Sequence, residues 1–286
     1  MVQNLWSERI METITFHSYR GGVGKTLLSV NTAFKLAELG KKVCLVDFDL
    51  RAPSHRSFLF SSSLNITPAK KSFTAFLVGI NGPAEVIAST DKDNFFCVFS
   101  DIEILQKKGS KVRSKLTQHG EGGILGKLFE FIRYCESKAF DYLIVDCMPG
   151  ITYRSLDAMV VSDKVMVVTR PVQSEISGLS LVISECYSKL EGTQLFSIMN
   201  QIENLKDLAQ PPNDHDVNLA KENVQNIMDC LQTSTPSIPL IHSFRRVPFV
   251  TERIYVLEEK DHSFSREIEV FCSKLVDSSN KRDLNE

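Results

Sequence analysis

Residues Tyr19 to Thr26 read YRGGVGKT, and the segments on either side decide what such a loop can be. Before it, Glu12 to Ser18 (ETITFHS) is rich in strand formers. After it, Leu27, Val30, Phe34, Leu36 and Leu39 recur at roughly helical spacing until Gly40 stops them. A strand that passes through Gly21, Gly22 and Gly24 into a helix turns backbone N–H groups inward and adds the positive end of a helix dipole, which together cradle a polyphosphate. In such a loop Val23 supplies backbone, Lys25 places its ammonium on the β and γ phosphates, and Thr26 offers its hydroxyl to Mg²⁺. The chain therefore reads as an α/β protein that binds a nucleoside triphosphate.

Further short apolar runs follow at Lys42 to Asp47, Phe95 to Phe99, Tyr142 to Val145, Val165 to Val168, Leu195 to Met199 and around Ile238 to Ile241. Their continuity suits parallel strands buried on both faces. Helical patterns separate most of them, at Ile124 to Ser137, Tyr153 to Val161, Ser174 to Leu190 and Val217 to Leu231. The alternation predicts a three-layer, doubly wound, mostly parallel β-sheet with helices on both faces. With 43% hydrophobic residues, 286 residues can fill one large core. The division expected is an N-terminal extension over 1–11, a single domain over 12–276, and a polar, disordered tail over 277–286. Ser61 to Lys71 and Asn204 to Asp216 read as irregular connections.

RGGVGKT resembles the deviant Walker A loop, KGGxGK followed by Ser or Thr, of the ParA and MinD group of P-loop ATPases. In that group the lysine before the glycines reaches the partner subunit's nucleotide, so that ATP holds two subunits face to face. Arg20 occupies this position here; it keeps the charge but presents a planar fork of different reach. The resemblance covers roughly residues 12–276, densely in the motifs and thinly between them. It implies ATP and Mg²⁺ as cofactors, an ATP-dependent homodimer, and a protein partner that stimulates hydrolysis.

Phosphate chemistry needs carboxylates beside the metal and the attacking water. Two runs, LVDFDLRAPS and YLIVDCMPG, place them at strand ends, where ligands bind in open parallel sheets. By resemblance, Asp49, 24 residues after Lys25, is the catalytic aspartate that orients the water, with Lys25 and Arg20 as its partners in catalysis. Asp47 is expected near the Mg²⁺ hydration shell, and Asp146 matches the Walker B carboxylate that completes the metal side with Thr26. Asn200 matches the asparagine that reads the adenine edge, and Pro239 belongs to a later segment expected beside the base.

These matches imply a ParA/MinD-like ATPase that partitions or positions cellular cargo. DLRAPS also resembles the acidic motif of bacterial tyrosine autokinases, although no tyrosine follows Tyr255. A module that holds nucleotide without turnover is the other alternative, motivated by Arg20. With 33 Lys and Arg against 35 Asp and Glu, overall charge points to neither nucleic acid nor a membrane surface. Local contact with either could come from KKGSKVRSK, Lys107 to Lys115. Seven scattered cysteines without a CxxC pair suit a reducing, cytoplasmic setting and no cluster or zinc site. Phe264, Ile268, Phe271 and Leu275 share one helical face that is expected to pack on the domain.

Overall fold

The computed structural model describes residues 11–101, 123–202, 214–235, 237–246 and 254–280. Leu5, Trp6 and Ile10 of the N-terminal extension and the Lys107 to Lys115 stretch lie outside them, as does 281–286 of the tail. Among the described residues nine strands form one sheet in the order β3-β4-β5-β2-β6-β1-β7-β8-β9. They are β1 (Glu12–His17), β2 (Val43–Phe48), β3 (Ile66–Thr67), β4 (Ile87–Thr90), β5 (Phe95–Val98), β6 (Tyr142–Cys147), β7 (Lys164–Thr169), β8 (Gln194–Ile202) and β9 (Leu240–Arg245). Pairing is parallel from β5 through β9 and antiparallel only where β3 and β4 extend the edge.

The helices are α1 (Lys25–Glu38), α2 (His55–Phe60), α3 (Phe73–Leu77), α4 (Ile124–Ser137), α5 (Tyr153–Val160), α6 (Gln173–Glu185), α7 (Asp214–Thr233), α8 (Tyr255–Glu258) and α9 (Ser263–Asn280). Successive strand residues serve opposite layers, as the period of two requires. Val43 and Leu45 of β2 join Leu28 and Phe34 of α1 and Phe271 of α9 in one core. Their neighbours Cys44, Val46 and Phe48 join α3 and α4 on the other face. Val165 and Val167 of β7 pack with α6 and α7 farther along that face. This double burial explains why the strands read as continuous apolar runs.

Phe264, Ile268, Phe271 and Leu275 are all buried, so the amphipathic face of α9 packs on the domain as expected. The helix continues to Asn280, four residues into the stretch expected to be a disordered tail. Among the described residues, no helix is long and apolar enough to cross a membrane. The order of the sheet puts β1 between β6 and β7, so the loop leaving β1 emerges at the middle of the carboxyl edge, where opposite crossovers part the connections and leave a crevice.

Candidate nucleotide site

The loop is built so that α1 starts without a cap. Gly24 precedes α1 at φ 90°, no side chain caps the helix, and no acid stands in its first turn. The first N–H groups of the helix therefore remain available to a ligand. Gly24 has a second reason to be glycine: a Cβ there would lie 2.3 Å from Nδ2 of Asn200. Val23, fully buried, anchors the loop to the core while Arg20, Gly21 and Gly22 stay exposed. Lys25 folds back so that Nζ donates to Oγ of Ser18 at 3.0 Å, and that hydroxyl donates to the Arg20 carbonyl at 2.5 Å.

An open cavity of about 360 Å³ lies over the loop. Gly21, Gly22, Gly24, Lys25 and Thr26 form its floor, with Asp49, Phe58 and Pro149 on one side and Asn200, Gln201 and Arg245 on the other.

On the acidic side, strand register sets Asp47 directly opposite Asp146. Oδ2 of Asp146 accepts from the Thr26 hydroxyl at 2.6 Å and contacts Nε2 of His55 at 3.1 Å. Asp47, expected near the Mg²⁺ hydration shell, is tied to the backbone of the loop that follows β2. Its Oδ1 accepts from the Asp49 N–H, and its Oδ2 accepts from the N–H groups of Ser54 and His55. Buried and committed to three backbone donors, it fastens the loop that carries Asp49 and does not line the cavity. Asp49 does line it, with Oδ1 held by the N–H groups of Arg51 and Ala52 at 3.0 Å each.

Burial pushes the Asp47 carboxyl up to about 6, against the opposing pull of nearby His55. Burial alone would lower the pKa of His55, but Asp47, the hydrogen bond and charge of Asp146, and Asp49 outweigh it and raise the ring above its ordinary value.

On the other side the end of β8 grips the loop with two neutral amides. Nδ2 of Asn200 donates to the Val23 carbonyl at 2.7 Å, and Nε2 of Gln201 donates to the Gly22 carbonyl at 3.1 Å. Gln201 adopts φ 57°, a left-handed conformation uncommon outside glycine. Pro239 is not among the residues lining this cavity: its carbonyl accepts from the Ser197 N–H at 2.8 Å, three residues of β8 before Asn200. At a strand rise of about 3.3 Å per residue that leaves it roughly 10 Å short of the loop. Arg245, at the far end of the strand that Pro239 precedes, reaches the cavity instead.

Beneath the loop, His17 is fully buried and bonded twice. Nε2 lies 3.0 Å from the Gly150 carbonyl and Nδ1 lies 2.6 Å from the Tyr187 hydroxyl. A carbonyl only accepts, so Nε2 carries the proton, and the neutral ring accepts from Tyr187 at Nδ1. Burial holds the ring at about 4, helped by the charge of Lys25. Tyr19 lies against α6, where a Cβ on Gly178 would come within 2.1 Å of its ring. The guanidinium of Arg20 sits 5.9 Å above the same ring.

His55, Gln201, His17 and Arg245 were not anticipated from the sequence. The local hint was position: Gln201 adjoins Asn200, and His55 directly follows the run LVDFDLRAPS.

A family profile described as an AAA domain matches residues 11–203, most of the chain. The chain belongs to the ParA/MinD family of P-loop ATPases. The sporulation initiation inhibitor protein Soj of Bacillus subtilis is 29% identical over 176 residues, which cover 60% of this chain and 63% of Soj. The septum site-determining protein MinD of the same organism is 29% identical over 197 residues, 68% of this chain and 66% of that protein. The match thus spans less than two thirds of either relative. The fold is shared with the Pyrococcus furiosus cell division ATPase MinD, at a TM-score of 0.67 and 17% identity over 93% of this chain and 98% of that one. It is shared equally with an McdA–ATP complex from Cyanothece, at a TM-score of 0.68 and 16% identity over 93% and 96%.

Proposed function

We propose that this member of the family is an ATP-dependent dimerisation switch that hydrolyses ATP to ADP and phosphate and serves the partitioning or positioning of a cellular cargo. The observation that carries this reading is the meeting, around one cavity, of an uncapped helix start, the Lys25 ammonium, Thr26 bonded to Asp146, and Asp49. The residues fit Mg²⁺–ATP. A Cβ on Gly22 would meet nothing within 4 Å, so the loop faces open space, and its donor set is made of N–H groups and one ammonium suited to phosphate oxygens.

Mg²⁺, when bound, would neutralise phosphate charge. Thr26 and Asp146 are the residues that would hold it, the first by its hydroxyl and the second through water. Lys25, released from Ser18, would take the phosphates, and Asn200 with Gln201, which line the cavity opposite Asp49, would face the base. Asp49 has one oxygen fixed by two loop N–H groups, which leaves the other to orient the attacking water. Arg20 is exposed beside the loop glycines, which supports a role for its guanidinium at the nucleotide of a second copy of the chain. A protein that stimulates hydrolysis and a surface of DNA or membrane on which the dimer resides belong to the same reading. It is supported by relatives described as chromosome-partitioning and septum site-determining proteins.

The test is Asp49→Ala. It is expected to bind ATP as the parent does, to lose hydrolysis by about 100-fold or more, and to accumulate as a dimer by light scattering with ATP. A parent protein that binds no ATP, or a variant that hydrolyses at the parental rate, would sink the mechanism. A variant that stays monomeric with ATP would sink the dimer.

A further inference from the structure

Asp146 is a buried strand-end carboxylate bonded to Thr26 on the cavity floor, so the orientation of its two oxygens decides which one is left for a metal. Its Oδ2 is already occupied by two donors, the Thr26 hydroxyl at 2.6 Å and the His55 ring at 3.1 Å. A carboxylate accepts, so Nε2 of His55 carries the proton in that contact. The ring belongs to the first residue of α2, 91 residues away in sequence, and is completely buried. Its Nδ1 has no partner among the described residues, so the Nε2 contact to Asp146 is the ring's polar anchor. The backbone N–H of the same residue donates to Asp47, the carboxylate that fastens the Asp49 loop.

His55 therefore ties the Asp49 loop to two strands, its main chain to Asp47 of β2 and its side chain to Asp146 of β6. Thr26 enters the same cluster through Oγ of Ser54, 3.4 Å away. We infer that His55 is a positioning residue which turns the Asp146 carboxylate so that Oδ1 faces the metal side, and which ties the Asp49 loop to that carboxylate. The inference rests on the function proposed above. The ring donates to a metal-side carboxylate from behind, the arrangement that elsewhere governs ligand orientation and metal affinity.

The experiment measures Mn²⁺ binding by electron paramagnetic resonance with a saturating non-hydrolysable ATP analogue, and separately the affinity for the analogue in EDTA. Three variants separate shape from the hydrogen bond. Gln carries an amide N–H at about the reach of Nε2, Asn carries one only as far as Nδ1, and Ala carries none. His55→Ala and His55→Asn are expected to weaken Mn²⁺ binding by about 10- to 100-fold. Analogue affinity in EDTA should stay within about twofold, and His55→Gln should recover metal binding to within a few-fold of the parent.

Unchanged Mn²⁺ affinity in His55→Ala overturns the inference. So does an equal loss of analogue affinity in EDTA, a Gln variant no better than Ala, or failure of all three variants to fold, each of which assigns the ring to packing. A parent protein that shows no Mn²⁺ binding with the analogue brings down the proposed function itself, and that result appears before any variant is made.

Discussion

The two sides of the phosphate loop are held by opposite chemistry. On the side of β2 and β6, the charged or titratable groups Asp47, Asp49, His55 and Asp146 hold one another and the loop that carries Asp49. On the side of β8, the neutral amides of Asn200 and Gln201 hold two successive carbonyls of the phosphate loop itself. An ionisable cluster can respond to the charge of a ligand, because its internal balance shifts with each added charge. Neutral amides donating to fixed carbonyls have no such response; they set a geometry. The molecule thus keeps its rigid grip and its charge-sensitive grip on separate strands.

The largest effect that would break this comparison is expected at Gly24. Gly24→Ala puts a methyl 2.3 Å from Asn200 Nδ2 at a backbone φ of 90°, so the amide grip and the loop are no longer compatible. Nucleotide affinity by calorimetry should fall by at least about 100-fold while circular dichroism remains native; binding within a few-fold of the parent would show that the grip is not rigid.

The next effect is read through pH at β1, the strand beneath the loop and between the two sides. His17 lies under the loop with its ring at about 4, below its ordinary 6.5 in the unfolded chain. A lowered pKa means that stability is fully present above 6.5 and is lost as pH falls from there towards 4, because only the unfolded chain takes up the proton. Up to about 3 kcal/mol is at stake. Urea unfolding of the parent and His17→Gln between pH 7 and 5 isolates the ring, since Asp47 and His55 titrate in both. Parallel pH dependences would contradict the buried neutral ring.

The smallest expected effect sharpens the amide side. Gln201→Gly forfeits a hydrogen bond worth about 1 kcal/mol but relieves a left-handed conformation costing about the same. Nucleotide affinity should change by less than about threefold; a tenfold loss would give Gln201 a larger share of the grip than geometry assigns.

Much of the frame was legible because burial on both faces leaves a local signature. The runs at β2, β6 and β7 are apolar residue after residue, and α4 was bounded at Ile124 to Ser137 as observed. The edge strands β3 and β4 were not read. Two and four residues long, with Thr and Ser among them, they owe their extension to pairing with β5 and not to their own pattern.

In the site, Thr26, Asp49 and Asp146 were legible because a motif carries each of them. His55 and Gln201 were not, since their partners lie 91 and 179 residues away and nothing nearby marks them. Pro239 stands just before β9, and it is the far end of that strand, at Arg245, that reaches the cavity.

The contact between Tyr19 and α6 has a mechanical consequence. Gly178 leaves a notch in a helix that contributes nothing to the cavity wall, and the Tyr19 ring fills it with no slack. Any roll of α6 about its axis must therefore carry Tyr19 along, and Arg20, the next residue, follows. A load applied to the outside of α6 is transmitted as a change in the aim of the exposed guanidinium, like a tiller moved from behind the hull.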